Sequence, residues 1–261
     1  MKKALITGIT GQDGSYLAEY LLSLGYEIHG IIRPVTNNSN YKNIINIQNK
    51  INIHIGSITS FDSLICILKK TLPDEIYNLA AQSDARLSYS MPIETMEINT
   101  IGSSKLFEAA RLICPKTKIY HASSTLMFAP NETNTHNENS KLDATSSYVC
   151  SKIATYYQAI NYKNAYEMFI GQGICSNHES IRRPEWFFSR KVSKAVAHVM
   201  CKTGIKFKFG NLYSGRDFGY APDYVKAMHL ILQHNTPDEF IIGTNKCTTI
   251  HKFLSIAFSL F

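Results

Sequence analysis

Short apolar runs alternate with amphipathic stretches along most of this chain. Residues 4–6 (Ala4, Leu5, Ile6) form a run without a polar break, as a strand buried on both faces would. Comparable runs at residues 26–32, 51–55, 75–79, 118–122 and 168–174 each predict a strand. Between them, residues 15–24, 61–70, 94–112 and 148–166 place apolar side chains at helical spacing, and Pro115 stops the third of these. Residues 34–49 and 131–147 are polar and read as loops. Strands joined in turn by helices predict an α/β chain built on a doubly wound parallel sheet.

The rhythm breaks near residue 175. Residues 177–191 are rich in Asn, His and Arg. The pattern then predicts a helix at 187–200, a short strand at 206–209, a helix at 221–234, a strand at 240–242 and a last helix at 249–260. This divides the chain into a main domain over residues 1–175 and a smaller lobe over 176–261 that interleaves with it. The final apolar helix meets Phe261 without a polar tail, so the lobe is expected to be truncated.

Composition narrows the class. Hydrophobic content of 44% and charged content of 18% suit a soluble globular protein, and no apolar run is long enough to span a bilayer. The first strand begins at the N-terminus, which leaves no room for a signal peptide, and a cytoplasmic protein is expected. Six cysteines are scattered without a C-x-x-C pair, which argues against zinc and against a disulfide framework. The net charge of +7 is dispersed, which favours anionic small molecules over nucleic acid.

The first strand runs into Gly8, Gly11 and Gly14, and a helix follows. Such glycines permit a tight turn, a close approach to a pyrophosphate and close helix–strand packing, while the helix N-terminus offers unpaired N–H groups. Together they predict a Rossmann-type dinucleotide site; a glycine-rich turn that binds nothing is the alternative. Arg33 ends the second strand, where an acidic residue would bond the ribose of NAD. An arginine there favours the 2′-phosphate of NADP, unless it is an ordinary surface residue. The fourth strand runs into Ala80, Ala81, Gln82 and Ser83, small side chains that leave room for a ligand at the sheet's edge. Tyr148 and Lys152 are spaced i, i+4 on one helix face. An ammonium near the phenol is expected to lower its pKa toward working pH, so that it accepts a proton from a sugar hydroxyl. Ser124 ends the fifth strand, placed to bond the reacting oxygen.

The stretches TGITGQDGSYLAEYLL, EIYNLAAQS, HASSTLMF, YVCSK, NHESIRR, SRKVSKAV and GNLYSGRDFGYAPDYVKAM stand in family order over nearly all of the chain. On these motifs the chain resembles the extended short-chain dehydrogenase/reductase family, and within it the branch that dehydrates GDP-mannose. The resemblance implies oxidation at C4 of the mannose with NADP as internal hydride carrier. Removal of the C5 proton, loss of water from C6 and hydride return then give a 4-keto-6-deoxy sugar. It implies that Gly8, Gly11, Gln12, Asp13 and Gly14 cradle the pyrophosphate, and that Leu79, Ala80, Ala81, Gln82 and Ser83 line the ribose and nicotinamide. Lys152, His178 and Arg183 would hold the cofactor, Ser124 and Tyr148 would be catalytic, and Asn177, Lys191 and Arg216 would face the substrate diphosphate. A homodimer or tetramer is also implied.

Five residues depart from the family pattern. Leu126 stands where the family carries the glutamate that acts at C5 and O6. Ser57-Ile58 replaces an Asp-Leu at the adenine, Pro34 replaces a second arginine, and Glu94 replaces a tyrosine. These leave two alternatives open: a reductase or epimerase needing only Ser124, Tyr148 and Lys152, and a non-catalytic homologue.

Overall fold

The computed structural model describes residues 1–34, 41–130 and 135–260. The loops expected at 34–49 and 131–147 therefore lie partly outside the described residues, as does Phe261. The strands are β1 (Lys3–Thr7), β2 (Glu27–Ile32), β3 (Asn52–Ile55), β4 (Glu75–Asn78), β5 (Lys118–Ser124), β6 (Ile170–Cys175), β7 (Asn177–Glu179), β8 (Gly215–Tyr220), β9 (Glu239–Ile242) and β10 (Cys247–Thr249). The helices are α1 (Gln12–Ser23), α2 (Phe61–Thr71), α3 (Leu87–Ser90), α4 (Pro92–Met96), α5 (Gly102–Ile113), α6 (Ser147–Tyr166), α7 (Phe188–Met200), α8 (Ala221–Gln233) and α9 (Ile250–Ser259).

Seven strands form one parallel sheet in the order β3-β2-β1-β4-β5-β6-β9. The chain runs outward from β1 to β3, then returns to the other side of β1 with β4. That reversal opens a crevice at the carboxyl ends of β1 and β4, where doubly wound sheets take ligands. Both faces of the sheet are covered, which is why β1 and β4 are apolar or buried almost throughout. On one face, Leu17, Ala18 and Leu21 of α1 and Tyr224, Val225 and Met228 of α8 pack on Ala4, Ile6 and Ile28. On the other, Leu64 and Leu68 of α2 and Leu106 and Phe107 of α5 pack on Leu5, Ile76 and Ile119.

Three further strands form a smaller sheet in the order β10-β8-β7. It pairs β7 parallel to β8 and β10 antiparallel to β8. The strand expected at 206–209 does not form. The Lys208 carbonyl accepts the Lys191 ammonium and Phe209 packs edge-on against Phe188, so this segment meets α7 and has no strand beside it. The ladder uses Gly215–Tyr220 instead, whose glycines and charges mask its extended character in the sequence. The helix expected at 94–112 is divided: α4 passes into α5 through a wider π turn, Glu97–Ile101. Helix α1 starts at Gln12, so Gly14 lies in its first turn, and β5 reaches Ser124.

Candidate functional site

The glycine turn sits at the crevice. Gly8 has φ +71°, and a Cβ there would lie 3.0 Å from the Ala80 nitrogen, so only glycine lets the turn pass β4 this closely. A Cβ on Gly14 would lie 2.3 Å from the Gly8 carbonyl oxygen. Thr7 Oγ1 joins the two strand ends: it donates to Asn78 Oδ1 at 2.9 Å and accepts the Leu79 and Ala80 N–H groups, each at 3.0 Å. No side chain caps the N-terminus of α1, so its first N–H groups remain open to the cleft.

A cleft of about 1460 Å³ extends from this turn to the small sheet, and every catalytic, cofactor and substrate residue expected from the sequence lines it. Ser124 comes from the end of β5, and Tyr148 and Lys152 from the first turns of α6, whose start Ser146 caps through the Val149 N–H at 3.2 Å. All three are nearly buried. Lys152 Nζ donates to the Ala122 carbonyl at 2.8 Å and lies 5.9 Å from the Tyr148 ring centre. Burial lowers the Lys152 ammonium to about 8. The lowered Tyr148 pKa expected from the i, i+4 spacing is not what the structure gives. Burial raises the phenol above its ordinary value, only partly opposed by its hydrogen bond with Ser124 and the charge of Arg183. The Lys152 ammonium is turned to the Ala122 carbonyl, where it supports the phenol less than the spacing suggests.

After Ser124 the chain makes a short turn, Thr125–Met127, with Ser124 Oγ accepting the Leu126 N–H at 3.3 Å. Leu126 is 39% exposed and lines the cleft. Ser57, Ile58 and Glu94 also line it, Ile58 buried beside Gly102.

The first turn of α1 is stapled to β7. Gln12 Nε2 donates to the His178 carbonyl at 3.1 Å, and Ser180 donates to Gln12 Oε1 at 2.8 Å. His178 Nε2 lies 2.9 Å from Asp13 Oδ2. Arg182 reaches back to Glu19 at 2.7 Å and Ser15 at 3.1 Å, and covers the Tyr16 ring. Arg183 lies over the Phe187 ring, with its Nε 3.4 Å from Glu179.

Among the residues expected at the diphosphate, Asn177 belongs to β7 and Arg216 to β8. Lys191, on α7, lies 5.2 Å from the centre of the Phe209 ring. Exposed Arg33 lines the cleft at the end of β2, and Lys42, which the sequence reading passed over, lines it too. Asn43, also missed, donates to the Thr10 carbonyl at 2.9 Å and braces the glycine turn. Asn99, in the π turn, is a third omission. It accepts the Gln82 N–H at 2.8 Å, donates to the Gln82 carbonyl at 3.0 Å and donates to Ser151 at 2.9 Å, tying the β4 loop to α6. A buried amide inside an apolar helical stretch was its one visible signal.

Among the described residues, no helix is long and apolar enough to cross a membrane, and no group of three His, Cys, Asp or Glu side chains could hold a metal ion.

The profile of the GDP-mannose 4,6 dehydratase family matches residues 5–261. The GDP-mannose 4,6-dehydratase of Yersinia enterocolitica is 38% identical over 265 residues, covering 98% of this chain and 71% of its own. GDP-mannose 4,6 dehydratase 2 of Arabidopsis thaliana is 40% identical over 268 residues, with 98% and 72% covered. The human GDP-mannose 4,6 dehydratase is 37% identical over 264 residues, with 98% and 71% covered. Among solved structures, dTDP-glucose 4,6-dehydratase of Bacillus anthracis in complex with NAD superposes with a TM-score of 0.87 at 22% identity, covering 100% of this chain and 82% of that one. UDP-glucose 4-epimerase of Thermus thermophilus with NAD gives 0.84 at 21% identity, with 98% and 82% covered. Both likenesses show the Rossmann-type fold.

Proposed function

The chain belongs to the GDP-mannose 4,6-dehydratase family, and on that premise we propose that its cleft binds NADP at the glycine turn and GDP-mannose toward the small sheet. The observation that carries this reading is the meeting of Ser124, Tyr148 and Lys152 with the glycine turn in one cleft. The turn suits a dinucleotide: side chains at Gly8 or Gly14 would fill it, and the uncapped start of α1 faces the same space. The glycine turn, Lys152 and Arg183 would hold the dinucleotide, which would supply a reversible hydride acceptor for the sugar.

The protein's own residues handle protons and charge. Tyr148 accepts the proton of the reacting hydroxyl in its phenolate form, which burial opposes and the Ser124 hydrogen bond and the Arg183 charge favour, and Ser124 hydrogen-bonds the same oxygen. Lys152 keeps a cation near the phenol. Arg33, joined by Lys42, favours the 2′-phosphate of NADP over the bare ribose of NAD. Asn177, Lys191 and Arg216 supply an amide and two cations to the diphosphate. A homo-oligomer would cover apolar surface such as Trp186, which is 60% exposed.

Leu126 favours a second reading. Dehydration needs a group that removes a proton beside the ketone and protonates the departing hydroxyl, and an isobutyl side chain does neither. A reductase or epimerase working at one carbon needs no such group. Conversion of GDP-mannose with NADP, measured beside a Leu126→Glu variant, decides between them. Formation of the 4-keto-6-deoxy product by the native chain supports dehydration. Formation by the variant alone leaves the one-carbon reading, which NADPH oxidation by a 4-keto nucleotide sugar supports and inertness toward such ketones overturns, and product from neither chain overturns dehydration.

A further inference from the structure

The dinucleotide turn carries an acidic residue where negative charge is unwelcome. Asp13 is the second residue of α1, lines the cleft and keeps a quarter of its side chain exposed. A carboxylate there repels a pyrophosphate drawn to the same helix start. The geometry of His178 removes the conflict. Its Nδ1 lies 2.8 Å from the Ser176 carbonyl and its Nε2 lies 2.9 Å from the Asp13 carboxylate. The Ser176 carbonyl can only accept and the Asp13 carboxyl is held ionised, so both ring nitrogens donate and the ring that satisfies both contacts is an imidazolium. The ring is 8% exposed and stacks on Tyr224 at 4.5 Å, so solvent does little to screen the pair.

We propose that His178 is a positioning residue that neutralises Asp13, so that the glycine turn accepts the pyrophosphate of a pyridine dinucleotide only while His178 carries its proton. The proposal rests on the reading of that turn as the pyrophosphate cradle. It assigns His178 to the cofactor through Asp13, since both of its nitrogens are already committed to protein oxygens.

The charged neighbours agree with this assignment. Asp13 on α1 is the anion facing the ring. Arg183, on the loop after β7, is the second cation near both groups, but Glu179 offsets its charge at 3.4 Å. From α8 comes Tyr224, whose phenol is pushed up to about 12 by burial and stays neutral. Burial opposes the charge on His178, yet the Asp13 carboxylate, its hydrogen bond and the Ser176 carbonyl together raise the imidazole above its ordinary value. Burial likewise opposes ionisation of Asp13, and His178 with Gln12 outweighs it, so the carboxyl is held below its usual range. The sign follows: neutralisation is complete below the raised His178 pKa and is lost as pH rises through it.

The test is titration calorimetry of the full chain with NADP and with NAD between pH 6 and 9, for the native protein, His178→Gln, Asp13→Asn and the double variant. The native affinity should fall on the alkaline side. His178→Gln should bind about tenfold more weakly or worse at neutral pH. Adding Asp13→Asn should restore binding, which a misfolded His178→Gln chain would not allow. Asp13→Asn alone should lose the alkaline decline, so the proposal stays testable even if His178→Gln fails to fold. Native binding that is independent of pH, together with unimpaired binding by His178→Gln, overturns the proposal and leaves the dinucleotide reading standing. Failure of the native chain to bind either dinucleotide at any pH overturns the reading of the cleft itself.

Discussion

At the residue scale, Lys152 shows chemistry set against stability. Its ammonium is buried and lowered from 10.5 to about 8. Below about 8 both folded and unfolded chains hold the proton, and the folded state bears the full cost of burying the charge. As pH rises toward 10.5 the folded chain gives up its proton first, and stability rises. Lys152→Met should therefore stabilise the protein at neutral pH. The shift corresponds to about 3 kcal/mol, reduced by about 1 kcal/mol for the orphaned Ala122 carbonyl. The same variant should slow hydride exchange at the sugar by about 10²–10⁴-fold. Denaturant melts and an isotope-exchange assay measure the two effects, and a destabilised variant would show that the ammonium is a net structural asset.

At the element scale, the turn between β1 and α1 depends on glycine unequally along its length. Gly14→Ala would place a methyl 2.3 Å from the Gly8 oxygen and 2.7 Å from Ile9 Cα, both backbone atoms that cannot rotate away. The helix must shift, at a cost of about 2–3 kcal/mol, and dinucleotide binding should be lost with it. Gly210→Ala is the control: nothing lies within 4 Å of its added Cβ, and its stability should stay within about 0.5 kcal/mol. Urea titration of both variants checks this, and equal stabilities would contradict the packing described for the turn.

At the scale of the whole molecule, the end of the sheet opposite the cleft is closed by a buried carboxylate. Glu75 of β4 accepts from Lys2 at 3.1 Å, Tyr26 at 3.1 Å, Tyr77 at 2.7 Å and Gln233 of α8 at 3.0 Å. Burial opposes its ionisation, but the bonds from Gln233, Tyr77 and Lys2 outweigh burial and hold its pKa below the usual value. Its stabilisation is therefore present above the ordinary carboxylate pKa and lost as pH falls through the lowered one. Glu75→Ala should cost about 3–5 kcal/mol at neutral pH and flatten the acid limb of the stability curve. Chemical denaturation from pH 3 to 7 measures both; an unchanged acid limb would show that other carboxylates control acid unfolding.

What the sequence determined by itself was whatever rests on local periodicity and short spacing. The six strands up to Cys175, the helices between them and the Gly8–Gly11–Gly14 turn follow from apolar alternation and from backbone conformations that only glycine adopts easily. The motif residues were legible one by one, and so was Leu126 as a departure from the glutamate of the family motif. Tertiary structure alone decided what depends on partners distant in the chain. It placed β9 beside β6, formed the small sheet from segments where the pattern predicted no strand, and left residues 206–209 unpaired, because a strand exists only where another offers its free N–H and C=O groups. It also decided protonation: burial raises Tyr148 where spacing to Lys152 predicted the reverse, and two fixed oxygens 165 residues and two residues from His178 hold its ring charged. Desolvation and hydrogen bonding act through space, and no window of sequence contains them.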